Sequence, residues 1–166
     1  MKKNAKQILL VVVLVSMLGS LKVYAQAEAQ PVQELTAWDS AGRRIGNVQG
    51  GFLAAVAFAK DNTTFLLFVL KSRFQGTWGQ LFFNTLDCTG AAYFDAANVS
   101  DFPMTPTAIR DGKIYIPNPS PPVPVTVKSF FTEGGQGCVA EEFGANIIPA
   151  KVLGNVPSFT PPFSVR

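Results

Sequence analysis

The sequence predicts an all-β domain, a sandwich or small barrel of about eight to ten short antiparallel strands. Three observations carry that expectation. Glycine (14) and proline (12) punctuate the chain at short intervals. The runs between them are rich in Val, Ile, Phe and Tyr, the residues that fit a pleated, half-buried surface. Asp111-Gly112, set between TAIR and KIYI, is a two-residue hairpin signal, because both central positions of that turn need positive φ.

Taken in order, QELTAW (33–38) reads as a first strand with Leu35 and Ala37 on one face. DSAG (39–42) reads as a turn leading into RRIGNV. FLAAVAFA (52–59) and TFLLFVL (64–70) flank Lys60-Asp61-Asn62-Thr63 as a hairpin, and the second run is apolar on both faces, as a covered strand is. WGQLFF (78–83) and AAYF (91–94) lie either side of a turn at Cys88. DAANVSDFPMTP (95–106) reads as a loop. The proline-rich PNPSPPVP (117–124) then carries extended chain to VTVKSFF (125–131), and GGQG turns the chain into CVAEEF (138–143). The end, 149–166, reads as an extended, proline-rich tail.

Residues 1–25 read as a helical secretory signal peptide. Lys2, Lys3 and Lys6 precede an apolar run, Ile8 to Leu21, and Val23-Tyr24-Ala25 supplies small residues for a cut before Gln26. That run of 14 residues is shorter than the roughly 17–25 of a spanning helix. Contact with membrane is therefore expected only during export, and the working chain, one domain over 26–166, is expected in the periplasm or outside the cell. Four of the 14 basic residues (Lys2, Lys3, Lys6, Lys22) and none of the 11 acids leave with the leader. Ten bases against eleven acids give a mature net charge of −1, so no nucleic-acid partner is indicated.

Export makes oxidation the default for Cys88 and Cys138, and two cysteines allow one intramolecular pairing. Closing the loop from 88 through 138 removes about 4 kcal/mol of unfolded-chain entropy. The alternatives ask for more than the sequence holds. A redox pair has closely spaced cysteines, a zinc site wants about four ligands, and a nucleophilic thiol needs a base; the chain contains no histidine. Asp87 and Thr89-Gly90 around Cys88 are turn formers.

Three pieces occur together: WDSAGRRIGNV (38–48), QLFFNTLDCTGAAY (80–93) and FTPPFSV (159–165). The arrangement resembles a loose set of small bacterial exported or surface-associated β proteins with a D-x-x-G-x-x-x-G-like hairpin, a D-C-[ST]-G turn and a closing P-P-F motif. The resemblance implies a mostly β exported domain with structural cysteines, and carries no activity with it.

Without histidine, Ser-His-Asp and Cys-His catalysis and histidine metal centres are excluded. No phosphate-binding, dinucleotide or nucleophile-elbow fingerprint is present. No cofactor is indicated. Asp95, Asn98, Ser100 and Asp101 crowd oxygen ligands into one stretch, but their spacing departs from the helix-loop calcium pattern. A carboxylate hydrolase acting on glycans would need two of Asp87, Asp95, Asp101, Asp111, Glu141 and Glu142 in one cleft. Trp38, Trp78, Tyr93 and Tyr115 are the candidate binding residues, a stacking platform for a glycan, envelope or protein partner, unless they line the core. The functional expectation is thus a non-enzymatic exported module acting by contact, with the glycan hydrolase as the alternative.

Overall fold

Twelve strands and one short helix follow one another in the described residues. They are β1 (Thr36–Trp38), β2 (Arg44–Gln49), β3 (Ala55–Lys60), β4 (Thr63–Val69), β5 (Phe74–Gly76), β6 (Gln80–Phe83), β7 (Tyr93–Asp95), α1 (Ala96–Asp101), β8 (Ala108–Arg110), β9 (Lys113–Pro117), β10 (Val123–Thr132), β11 (Gly137–Asn155) and β12 (Ser164–Val165). The computed structural model describes residues 34–49, 53–101, 104–135 and 137–166, so the expected leader lies outside the described residues.

The strands form two six-stranded antiparallel sheets, ordered β12-β1-β2-β3-β4-β5 and β10-β6-β7-β11-β9-β8, in a half-barrel and sandwich-like arrangement. The first sheet curls until its two ends meet, where the Phe163 N–H donates to the Lys71 carbonyl at 2.8 Å in the turn between β4 and β5. The β3–β4 hairpin turns through Asp61 (φ 49°) and Asn62 (φ 59°), and β8–β9 turns through Asp111 (φ 51°) and Gly112 (φ 70°). Asp, Asn and Gly accept the left-handed backbone that such turns demand.

In the second sheet β9, β10 and β11 are one long hairpin. Lys113 lies opposite Asn155, Pro117 opposite Ala150, Val123 opposite Ile147 and Thr132 opposite Gly137. Its first arm is interrupted at 118–122, where three prolines cannot donate to the ladder. A bulge sets Glu141 and Glu142 against Lys128 alone, between the pairs Val127–Phe143 and Ser129–Ala140. β6 pairs with β10, β7 with β11, and Phe82 with Tyr93, so β6, β7, β11 and β10 close a ring of strands.

Burial follows the alternation. Phe65, Leu67 and Val69 of β4 are buried while Leu66 and Phe68 between them are half-buried, so its second face is only partly covered. The sandwich core joins these residues to Ala37, Val56 and Phe74 from the first sheet and to Ile114, Ile116 and Leu153 from the second. Each of the Val, Leu, Ile and Phe side chains among them contributes about 1.5–3 kcal/mol when fully buried. Two further clusters lie within the second sheet, one around Leu81, Phe83 and Phe94, the other around Phe82, Val127 and Ile147.

Four sequence expectations need correction. Residues 96–101 are helical, not loop: the Asp95 carboxylate accepts the Ala97 N–H at 3.0 Å and caps a short turn of helix that opens on two alanines. β11 runs through Asn155, so 149–155 belong to the sheet and the irregular tail is confined to 156–163. Leu35 does not share the burial of Ala37; it lies ahead of β1 and is 44% exposed. The strands number twelve, because two- and three-residue strands such as β5 and β12 are too short for periodicity to reveal.

Candidate functional site

Cys88 and Cys138 are joined by a disulfide, with Cα atoms 5.8 Å apart. It links the β6–β7 connection to the start of β11 across β10, whose Phe131 pairs with Leu81 on one side and with Cys138 on the other. Both cysteines therefore serve the second sheet, and the bond ties its β6–β7 and β10–β11 hairpins together. Cys88 is buried at positive φ (57°), its N–H donating to Ser129 Oγ at 3.0 Å, while Ser129 donates to the Thr85 carbonyl at 2.6 Å. The Arg110 guanidinium donates to the Cys88 carbonyl and stands 4.9 Å from the Phe83 ring centre and 5.4 Å from that of Phe131. The Thr89 hydroxyl and N–H hold the Asp87 carboxyl below its ordinary value.

The four aromatic candidates are not gathered in one place. Trp78 and Tyr115 pack against the Leu81–Phe83–Phe94 cluster, and Tyr93 against the Phe82–Val127–Ile147 cluster. Trp38 lies on β1 beneath the Arg166 guanidinium, 4.7 Å from its ring. The carboxylates are similarly dispersed. Asp95 caps α1, Asp111 is ion-paired with Arg110 at 3.4 Å, and Glu141 and Glu142 lie exposed at the bulge.

A different set of residues does converge. The segment 156–163 forms one wall of a cleft of about 430 Å³, lined by Phe74, Phe159, Phe163, Ile109, Arg73 and Glu133 among others. The Phe74 ring centre is 4.9 Å from that of Phe163 and 6.0 Å from that of Phe159. The segment is held from beneath by the turn after β1. Ser40 N–H donates to the Thr160 carbonyl at 2.9 Å, and the Ser40 hydroxyl lies 3.0 Å from both the Thr160 and Pro161 carbonyls. Arg43 donates to the Ser158 carbonyl at 3.0 Å and sits 5.2 Å from the Phe159 ring centre. Arg43 is in turn fixed by buried Asp39, whose carboxylate accepts its N–H and its Nε, each at 2.8 Å, together with the Thr160 N–H at 3.2 Å. Burial acts to raise Asp39, but these donors and the Arg43 charge outweigh it and leave the carboxyl below its ordinary value.

The polar end of the cleft is Glu133, in the turn between β10 and β11. Its Oε2 accepts the Gly76 N–H at 2.9 Å and the Ile109 N–H at 3.1 Å, so one oxygen bridges β5 of the first sheet and β8 of the second. The sheets approach closely here. A Cβ on Gly76 would run into the Thr107 carbonyl, and that same carbonyl accepts the N–H groups of Trp78 and Gly79 at 2.9 and 3.2 Å. Burial raises the Glu133 carboxyl above its ordinary value, against the pull of the two N–H donors and of the Arg73 charge. Sequence reasoning assigned the 134–137 glycines to a turn and passed over Glu133, because an acid beside a turn carries no local mark of burial.

No family model, curated protein or solved structure matches the chain.

Proposed function

We propose that this protein is an exported, disulfide-stapled β domain that acts by contact, and that its contact site is the phenylalanine cleft. The observation that carries the reading is the convergence of Phe74, Phe159 and Phe163 beside two charged groups, under a segment anchored by Asp39, Ser40 and Arg43. Concave apolar sites with a few placed polar groups are where small ligands and chain ends bind. The disulfide supports an oxidising location, and no helix among the described residues is long and apolar enough to cross a membrane. A contact role also agrees with the absence of histidine. A two-carboxylate hydrolase finds less support, since Glu133 is the only acid among the cleft-lining residues.

Two measurements test the reading. Fractionation of the native host with intact-mass analysis should recover the chain outside the cytoplasm, cut near Gln26 and heavier after reduction by the hydrogens of one disulfide. An uncut cytoplasmic protein would end the export claim. The apolar dye anilinonaphthalene sulfonate should fluoresce on the mature domain and lose that signal in Phe163→Asp, but keep it in Val123→Asp on β10. Equal signals from both variants would remove the cleft as the site.

A further inference from the structure

We propose that the cleft receives the C-terminal apolar residue of a peptide, with its α-carboxylate on Arg73 and its amide N–H on Glu133. This rests on the cleft being the contact site, and deepens it by naming the ligand.

The argument starts from two charged groups that the protein leaves unfinished. Both hydrogen bonds to the Glu133 carboxylate fall on Oε2; Oε1 accepts none among the described residues. The Arg73 side chain makes no hydrogen bond or close ion pair among the described residues. Its guanidinium lies against Gly134, where a Cβ would come within 2.5 Å of Nη2, so the absence of a side chain at 134 admits it to the cleft. The two groups are close enough for the Arg73 charge to act on Glu133.

A ligand must complete both groups and also fill the apolar part. A hydrocarbon would dehydrate Arg73 and Glu133 without pairing them, which is costly. A simple anion would satisfy Arg73 but bring no donor to Oε1; a simple cation would serve Glu133 but leave Arg73 without an acceptor. The last residue of a peptide presents a carboxylate, an N–H and a side chain on one α-carbon. It therefore offers an acceptor to the guanidinium, a donor to Oε1 and an apolar group to Phe74, Phe159 and Phe163. Arginine suits the first task, since its fork matches a carboxylate with two parallel bonds. The rest of the peptide can leave over Gly112 on the rim, where a Cβ would meet nothing within 4 Å.

The test uses the mature domain and a fluorescently labelled Gly-Ser-Gly-Ser-Phe peptide, read by anisotropy. The free acid should bind, and its C-terminal amide should bind about tenfold more weakly or worse, the cost of a lost charged hydrogen bond. Arg73→Gln should impose a similar loss with an unchanged melting temperature, and Arg73→Lys should restore part of it. Equal binding of acid and amide, or of wild type and Arg73→Gln, overturns the proposal. Free phenylalanine binding as tightly as the peptide overturns it too. If no peptide binds while the dye still reports the cleft, the peptide assignment fails and the contact site stands; if the dye also fails, both fall.

Discussion

The Asp39 carboxylate accepts the N–H of Thr160 at 3.2 Å, across 121 residues of sequence. It also grips Arg43, so one buried acid aligns the turn after β1, the segment over the cleft and the cation that stacks on Phe159. The cleft wall is therefore held in place by residues more than 110 positions away in the sequence.

Asp39→Ala is expected to lower the urea midpoint of unfolding with little change in slope, because it removes native interactions and not compactness. The pH dependence has a definite sign. The folded-state carboxyl lies below its ordinary value of 3.8, so its stabilisation is present above that value and is lost as pH falls through the lowered one. Urea titrations should show the wild-type advantage over Asp39→Asn shrinking in strong acid. A constant advantage across that range would contradict the assignment.

Glu133 should behave in the opposite sense. Its folded-state carboxyl lies above the ordinary 4.5, so the folded protein holds the proton more tightly than the unfolded chain. Its contribution is most favourable in acid and declines as pH rises through the raised value. Thermal melts between about pH 4 and pH 8 should show wild type losing ground to Glu133→Gln with rising pH. Parallel curves would show that this carboxyl is not perturbed by burial.

Gly76→Ala is expected to cost about 1–3 kcal/mol as an overpacking change, or more, since the obstacle is the Thr107 backbone and not a movable side chain. Denaturant unfolding measures it. An alanine without effect would mean that the sheets can separate freely at β5 and β8.

Reduction of Cys88–Cys138, or the double Cys→Ser change, is expected to cost about 2–4 kcal/mol. Hydrogen exchange should then rise first in the β6–β7 connection and at the start of β11, the segments that the bond joins. Uniform exchange would instead mean that the bond acts only on the unfolded chain.

What the sequence made legible is local. Asp111-Gly112 and Asp61-Asn62 mark their hairpins because Asp, Asn and Gly accept the positive φ of such turns more readily than other residues. The disulfide could be read because two cysteines have one pairing. The cleft could not. WDSAGRR and FTPPFSV look like two unrelated short motifs, yet Asp39, Ser40 and Arg43 of the first hold Ser158, Thr160 and Pro161 in and beside the second. No periodicity connects residues that far apart. Glu133 was hidden for a related reason: its burial is made by β5 and β8, and nothing in Glu-Gly-Gly announces them. The conspicuous residues, Trp38, Trp78, Tyr93 and Tyr115, went instead to three separate neighbourhoods.

The pairing of Thr36 with Arg166, N–H to carbonyl in both directions, has a consequence for synthesis. A chain that emerges N-terminus first, from a ribosome or through a membrane pore, presents β1 early and then waits for residues 164–166 before that strand gains its outer neighbour. Until they arrive, the curl cannot shut and the ledge over Phe74 has no roof. Closure of that edge is thereby postponed until residues 164–166 have emerged.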